Sequence, residues 1–372
     1  MTLAHRHATL AAAVQTNCHI ADARHAADLS LCVYLLQMRE LFRWEQGLAF
    51  GVAVDRAAVG QWLAARERLW SQLEQQPWLA LPIGERAFDA HDVEAVNAEL
   101  APLGLVYGAG LASAGRPTFF LAHLHGRQWR QNEVRLEVCG RELARGLFAP
   151  PAALVGGHTI VLRRDALARV LWEQFEAFSV RRIDGAFKAL ADAYGLHDGA
   201  DFVAALPRLV DDLSETLVLH ELGEYRAGQW LEPAWAAMRL GLEHRRADLY
   251  VRAVRDHLAD LEITLPALIE RNDAAALHFW FANYEGVREQ LFPSLTLAYA
   301  AWRRGDAGQL LLRMARDGAA HFRALAEQVL LLHRQLGQQA GPAVDRLLTA
   351  PSAACAVPPM RVSTRAGQFN RD

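Results

Sequence analysis

Lysine is almost absent from this chain. Lys188 is the only one, so nearly all of the 39 basic residues are arginines. A Walker A loop requires a Gly-Lys pair, and because the sequence contains none, a standard P-loop nucleotide-binding enzyme is excluded. Schiff-base chemistry would have to use Lys188, whose setting in GAFKALADAYG is typical of a solvent-facing helix position.

Long hydrophobic runs and paired cysteines are also missing. No window approaches the ~18 uninterrupted apolar residues of a membrane span, and Gln15 and Asn17 break the Ala-rich start. We therefore expect a cytoplasmic protein with no signal peptide and no membrane partner. The four cysteines form no C-x-x-C pair, which argues against a four-cysteine zinc ribbon or a thioredoxin-like redox pair.

An excess of positive charge is lacking as well. The net charge is −3 over 372 residues, so the electrostatic signature of a nucleic-acid-binding protein is absent and no nucleic-acid partner is expected. What is present is the balance of a globular protein, with 52% hydrophobic and 22% charged residues. The length is sufficient for two or three domains.

Hydrophobic periodicity predicts a mainly α protein in four parts. These are an N-terminal helical segment (1–103), a small α+β unit with about four strands (104–165), a C-terminal multi-helix bundle (166–349) and a flexible tail (350–372). The first helices are predicted at 22–46, 57–75 and 92–100, after a loosely patterned start. Within the α+β unit, RELARGLF is predicted to be a short helix. The bundle helices are predicted at 166–179, 182–194, 208–227, 233–247, 248–262, 265–290, 293–304, 306–334 and 340–349.

The stretch LVLHELGEYRAG, residues 217–228, carries the most informative pattern. On a helical wheel, His220, Glu221 and Glu224 continue the apolar stripe that should face the core. Unpaired buried carboxylates are costly, so a cation must offset them. The sequence therefore predicts either a divalent metal or arginine side chains beside this helix.

A metal site is the first interpretation. His220 and Glu224 are four residues apart and can reach one ion, and Glu221 occupies the general-base position of an H-E-x-x-H motif, although the fifth residue is Glu rather than His. A carboxylate-bridged di-iron site would need partners from other helices. The candidates are Glu173, Glu176, His257 with Asp260, and His278 with Glu285. None of them forms a Glu-x-x-His motif, which counts against a ferritin-like centre.

A structural network is the second interpretation. Arg226 and other arginines would neutralise the carboxylates, His220 would be a satisfied core histidine, and the protein would be a non-catalytic binding or scaffold protein. A third interpretation is a small-molecule pocket lined by aromatic side chains, although such clusters usually form core. These are Trp235, Phe279, Trp280, Phe281 and Tyr284.

Two weaker motifs remain. Cys18, Asp22, His25 and Cys32 would share one helix face and suit zinc or iron if the helix began early, but Asp22 is also an attractive N-cap and Cys32 has the surroundings of a buried thiol. Ser113 misses the G-x-S-x-G spacing of a serine hydrolase by one position, and the glycines around it predict a hairpin turn.

Three stretches together resemble a family of bacterial proteins to which no reaction is assigned. They are CHIADARHAADLSLCVYLLQMRELFRWE, VCGRELARGLFAPP and HELGEYRAG, and the resemblance extends over most of the chain. It implies a bacterial cytosolic protein and transfers no chemistry.

The sequence thus leads to one functional hypothesis and one rival. The hypothesis is a metal-dependent enzyme or metal-binding protein that uses iron, zinc or manganese on an unidentified small-molecule substrate. Its predicted ligands are His220, Glu224, His257, His278 and Glu285, and Glu221 is a catalytic base or further ligand. The rival is the scaffold. The oligomeric state is left open.

Overall fold

A computed structural model describes residues 3–111, 115–242 and 245–355 of the chain. The described part begins with three helices, α1 (Leu3–His25), α2 (Leu31–Glu45) and α3 (Arg56–Leu73). The single helix predicted at 22–46 is wrong: a 3₁₀ turn at Ala26–Asp28 separates α1 from α2, and the loosely patterned start is helical. Ser30, whose Oγ accepts a hydrogen bond from the Val33 amide, is the N-cap of α2.

A hairpin and a helix precede the main sheet. Strands β1 (Leu81–Ile83) and β2 (Arg86–Phe88) pair antiparallel between the helices predicted at 57–75 and 92–100, where the sequence predicts no strand. Helix α4 (Val93–Leu100) follows, and Asp92 caps it by accepting a hydrogen bond from the Ala95 amide, as the sequence predicts.

The main sheet has five strands, in the order β3-β4-β5-β7-β6. They are β3 (Leu105–Leu111), β4 (Pro117–Arg130), β5 (Val134–Arg145), β6 (Ala152–Val155) and β7 (Thr159–Arg163). The β5·β7 pairing is parallel and the others are antiparallel. The short helix predicted for RELARGLF is wrong, because Glu142, Ala144 and Arg145 continue β5 and pair with β4. Tertiary pairing overrides the local helix propensity of that segment.

Eleven further α-helices with described residues follow the sheet, and 66% of the described residues are helical when 3₁₀ and π turns are included. They are α5 (Arg164–Arg181), α6 (Ala186–Tyr194), α7 (Gly199–Leu231), α8 (Ala234–Leu240), α9 (Arg245–Ala259), α10 (Leu265–Glu270), α11 (Ala274–Ala282), α12 (Val287–Leu291), α13 (Ser294–Arg303), α14 (Gln309–Leu336) and α15 (Gly341–Thr349), and a π-helical turn at Asp260–Thr264 lies between α9 and α10. The fold is thus mainly α, with the sheet in the middle.

Two bundle helices differ most from their prediction. The helix expected at 265–290 is three helices, because Asn272 takes a left-handed φ of 52° and Asp273 then caps α11 through the Ala276 amide. Helix α7 starts at Gly199 rather than 208 and passes through Pro207. Tertiary packing along its whole length outweighs the single lost backbone hydrogen bond.

Sheet and bundle share a buried interface that positions α7. Val218 and Leu222 of α7 pack on Leu136 of β5 and Ile160 of β7. This contact packs the helix that carries His220 against inner strands of the sheet, and the candidate site lies where α7 leaves that contact and meets α9.

Two predictions fall at the limits of the described chain. Ser113 lies outside the described residues. Of the segment predicted as a flexible tail, residues 351–353 form a 3₁₀ turn and the Cys355 amide donates a 2.7 Å hydrogen bond to the Leu291 carbonyl, while residues 356–372 lie outside the described part.

Candidate metal centre

A pocket of about 850 Å³ opens between the sheet and the bundle. Most of its lining residues belong to α7, α9 and α12, and others belong to β6 and to the segment before β6. His220, Glu221 and Glu224 all line it. The three residues that interrupt the apolar stripe of α7 therefore face one cavity rather than a continuous core.

A glycine sets the distance between the two helices that form the site. A Cβ on Gly223 would lie 2.4 Å from the carbonyl oxygen and 2.6 Å from the Cα of Ala259. Backbone atoms cannot move aside for a methyl group, so only glycine allows α7 to approach α9 this closely. The glycine inside HELGEY thus brings the ionisable groups of the two helices within reach of each other.

His220 is oriented by a buried carboxylate. Its Nδ1 lies 2.9 Å from Oδ1 of Asp260, and Nη2 of Arg288 donates a 2.7 Å hydrogen bond to the other oxygen, Oδ2. Asp260 is completely buried and begins the π-helical turn. Burial alone would raise the pKa of Asp260, but the charges of His220 and Arg288 outweigh it and hold that pKa far below its usual range.

The same ion pair acts on the imidazole. Burial lowers the pKa of His220, but the attraction of Asp260 is stronger and raises that pKa to about 10. His220 is therefore protonated at neutral pH unless a metal displaces the proton on Nε2. Its Nδ1–H is committed to Asp260, so Nε2 is the ring nitrogen left for a ligand.

Two carboxylate side chains lie close to this imidazole. His220, Glu224 and Asp256 each offer one ligand atom, and these atoms all lie within 4.8 Å of one another. Two of the residues come from α7 and one from α9. An imidazole nitrogen with two carboxylates is a donor set that zinc, iron and manganese all accept.

The carboxylates of the site repel one another. Burial raises the pKa of Asp256 to about 6, and the nearby charges of Glu224 and Asp260 act in the same direction. Burial likewise raises the pKa of Glu221 to about 7, again with a contribution from Glu224. A divalent cation would relieve this crowding of negative charge.

Glu221 lies apart from the cluster, on the side of the sheet. It is 8% exposed, and a hydrogen bond from the backbone of Leu154 on β6 partly offsets the effect of burial on its pKa. A carboxyl group that titrates near neutrality at a pocket wall fits the requirements of a general base.

Arginine is the other component of the pocket. Arg255 bridges two carboxylates, with Nη2 3.2 Å from Glu224 and Nη1 3.1 Å from Glu232. Arg239 pairs with Asp248 at 3.1 Å. Arg226, expected to neutralise the carboxylates of α7, instead hydrogen-bonds to Gln131 and lies 3.6 Å from Glu133, because its side chain points toward the β4–β5 turn. Arg255 is therefore the arginine that neutralises Glu224, which is the role that the sequence predicted for Arg226.

Three of the predicted ligands lie outside the cluster. His257 is fully buried, its Nε2 donates to the Arg288 carbonyl at 3.0 Å, and burial lowers its pKa to about 3. His278 hydrogen-bonds to the Tyr299 hydroxyl at 2.7 Å. Glu285 is exposed and lines the pocket without joining the His220 group. The di-iron candidates Glu173 and Glu176, both on α5, form ion pairs with Arg169 and Arg39 respectively.

The four residues of the weaker cysteine motif do not converge. Cys18 is buried and its thiol donates to the Phe119 carbonyl at 3.2 Å, while Cys32 is exposed rather than buried. Asp22 is a buried residue inside α1 that accepts a hydrogen bond from the Leu147 amide, so it is not an N-cap. His25 lies 3.5 Å from Asp28.

The aromatic residues proposed to line a pocket are mostly core. All five are buried, and only Trp235 reaches the cavity among the described residues. They are Trp235, Phe279, Trp280, Phe281 and Tyr284. They contribute hydrophobic stabilisation to the bundle.

Sequence reasoning missed Asp256 and Arg255, and it offered Asp260 as a possible metal ligand rather than as the residue that orients His220. The structure encloses α9 with α7, α12, α14 and α15, so several of its faces are buried. One signal was available: Asp256 and Asp260 are four residues apart, as His220 and Glu224 are.

The fold and the site together define a mainly helical protein with a central sheet and a histidine–carboxylate cluster in a pocket between them. The chain belongs to a family of unknown function (DUF6866), whose N-terminal domain matches residues 9–163 and whose C-terminal domain matches residues 168–351. Searches among curated proteins and among solved structures each found no match. Within the described residues, no helix has the length and apolar character to cross a membrane.

Proposed function

We propose that the protein binds a divalent metal ion through His220, Glu224 and Asp256 and applies it to a small-molecule substrate in the adjoining pocket. The observation that carries the proposal is the convergence of three ligand atoms from two helices within 4.8 Å. Zinc, iron and manganese are the metals to which this donor set is suited.

The surroundings of His220 support this proposal. Metal-binding histidines usually donate their second ring N–H to a carboxylate, which fixes the orientation of the ring and raises its basicity. Asp260 occupies that position at 2.9 Å and is itself fixed by Arg288. Two further carboxylates, those of Glu224 and Asp256, lie close to the same imidazole.

The pocket supports a catalytic use of the metal. A divalent ion at this position would polarise an oxygen atom of a bound substrate, and Glu221 would accept a proton there. Arg239, Arg252 and Arg255 line the same cavity, and each of them is ion-paired with a carboxylate. A cytoplasmic location is part of the proposal, because all four cysteines are free thiols.

A scaffold function is the second candidate, and one observation favours it. Arg255 joins Glu224 to Glu232, while Arg288 joins Asp260 to the bundle, so each of these carboxylates already has a guanidinium partner. In that case the site would be a closed ion-pair network and would hold no metal.

Metal analysis of the purified full-length protein separates the two candidates. After metal removal and titration with Zn²⁺, Mn²⁺ or Fe²⁺, we expect one ion per chain with a defined affinity. His220→Ala and Asp256→Asn should abolish this binding. His278→Ala is the matched histidine control, and Asp248→Asn, on the same helix as Asp256, is the matched carboxylate control. Both controls should bind as the wild type does.

The scaffold candidate predicts a different set of results. No ion would bind at stoichiometric level, and Glu224→Gln would lower the melting temperature without any effect on metal content. Equal metal binding by His220→Ala and the wild type would refute the proposed ligand set.

A further inference from the structure

A second pocket, of about 830 Å³, lies between α1, α2, β5 and α5. It shares no lining residue with the candidate metal centre. Trp44, Leu48 and Phe50 form an apolar part of its wall, and buried charged side chains form the rest. Its volume is within the range of small-molecule sites, and its mixed lining is typical of them.

Arg145 contributes a buried guanidinium with few partners. The residue is 5% exposed, lies over the Trp44 ring at 5.1 Å, and donates one hydrogen bond of 2.9 Å from Nη2 to the Glu40 carbonyl. Its Nε has no hydrogen-bond partner. In the part of the chain that the structure describes, no carboxylate forms an ion pair with it. A guanidinium buried in this way calls for an anion.

Arg169 places a second guanidinium in the same wall. It is 6% exposed, Nη1 lies 3.2 Å from Glu173, and Nε has no hydrogen-bond partner. Burial and the neighbouring charge of Arg169 lower the pKa of Arg145 to about 10, so the two positive groups are close enough to repel each other. An anion between them would reduce this repulsion.

Most carboxylates of this pocket are already neutralised. Glu40 pairs with Arg43, Glu142 with Arg163, and Glu45 with Arg66. They therefore do not satisfy Arg145.

Asp165 is the exception among these carboxylates. Its Oδ2 accepts a 3.0 Å hydrogen bond from the Glu142 amide, and no ion pair to it exists among the described residues. The pocket thus contains two guanidinium groups, each with an N–H that has no hydrogen-bond partner, and one carboxylate that can accept hydrogen bonds from an amine.

We propose that this pocket binds a free α-amino acid, with its carboxylate on Arg145 and Arg169, its ammonium group on Asp165 and its side chain against Trp44 and Phe50. The planar fork of arginine matches the two oxygens of a carboxylate. The singly charged carboxylate suits a wall that also holds acidic residues better than a phosphate dianion does, and the apolar wall favours an amino acid with an apolar side chain.

Calorimetry and thermal shift with the full-length protein test this proposal. Phenylalanine, leucine and glutamate are the amino-acid probes. 3-Phenylpropionate lacks the amine of phenylalanine, and inorganic phosphate tests a phosphate site. We expect phenylalanine or leucine to bind and raise the melting temperature, and we expect 3-phenylpropionate to bind at least tenfold more weakly than phenylalanine. Absence of binding by every amino acid, or a response to phosphate alone, would overturn the proposal.

Variants locate the binding site. Arg169→Lys keeps the charge but loses the fork, and Asp165→Asn removes the acceptor charge for the ammonium group. Each should weaken amino-acid binding at least tenfold, whereas Arg239→Gln, in the other pocket, should leave it unchanged. Unaltered affinity in both pocket variants would refute the assignment.

A measurement on the wild type covers the case in which these variants fold poorly. Hydrogen exchange with and without the bound amino acid should show protection in the segments 44–50 and 165–169, both of which contribute residues to the pocket lining. Protection confined to residues 220–256 would place the amino acid in the other cavity and contradict the proposal.

Discussion

The two buried charged regions of this protein differ in the sign of the groups that converge on the cavity. Around Arg145, between the N-terminal helices and β5, most carboxylates have an arginine partner and two guanidinium groups keep unsatisfied N–H groups. Around His220, between α7 and α9, carboxylates converge and their pKa values rise. The first region therefore suits an anion and the second a cation, although both are built from the same residue types.

The two regions also differ in how the chain brings the charges together. In the bundle, a close helix crossing at Gly223 sets the distances. Near the sheet, the charges lie at the end of β5 and the start of α5, where strand pairing fixes their positions. The following predictions break or sharpen this comparison, beginning with the largest expected effect.

The buried ion pair near the sheet should be the most sensitive point for stability. Arg163 is 2% exposed, pairs with Glu142 and lies over the Phe120 ring at 4.5 Å. Arg163→Met would remove the ion-pair partner of the buried Glu142, at a cost of roughly 3–5 kcal/mol in the free energy of unfolding. Arg86→Met breaks the exposed pair with Glu99 and should cost less than about 1 kcal/mol. Urea denaturation measures both, and equal losses would contradict the distinction between buried and exposed pairs.

The helix crossing at the candidate metal centre should be the next most sensitive point. Gly223→Ala would place a methyl group against the backbone of Ala259, and we expect a loss of about 1–3 kcal/mol in the free energy of unfolding. Gly228→Ala is the control on the same helix, because a Cβ there has its nearest neighbours at 3.9 Å. That change should stabilise the helix by up to about 1 kcal/mol. If both alanines are tolerated, the close approach is not required.

The effect of Asp260 on the orientation of His220 can be tested while the three proposed metal ligands are kept. Asp260→Asn keeps the shape of the side chain but removes the charge that orients the imidazole, so metal affinity should fall by about 10- to 100-fold. Titration calorimetry with Zn²⁺ measures this effect. Because the ligands themselves remain, a complete loss of the site together with the fold would instead indicate a purely structural role.

The pH dependence of stability should separate the metal-free from the metal-bound protein. The pKa of His220 is raised to about 10, so its contribution to stability is fully present below its unfolded pKa of about 6.5 and is lost as the pH rises through about 10. Between pH 7.5 and 10, the metal-free wild type should lose up to about 1.4 kcal/mol per pH unit from this group. His220→Gln should lack that slope, as should the metal-loaded protein. Denaturant midpoints at several pH values provide the measurement.

Much of the fold follows from local patterns. The periodicity of the bundle helices and the capping position of Asp92 predict real elements. The failures occur where distant contacts override a local preference. RELARGLF has the composition of a helix but is paired to β4, and Asp22 has the character of a cap but is buried against the Leu147 amide.

The sequence by itself determined that α7 carries ionisable groups on a stripe that should be buried, because helical periodicity is a local property of the chain. It also determined that a cation must be near them, since unpaired buried carboxylates are unstable. Only the tertiary structure decided which groups meet. Asp256, Asp260 and Arg288 come from segments far from His220 in the chain, and the crossing of α7 and α9 at Gly223 sets their distances.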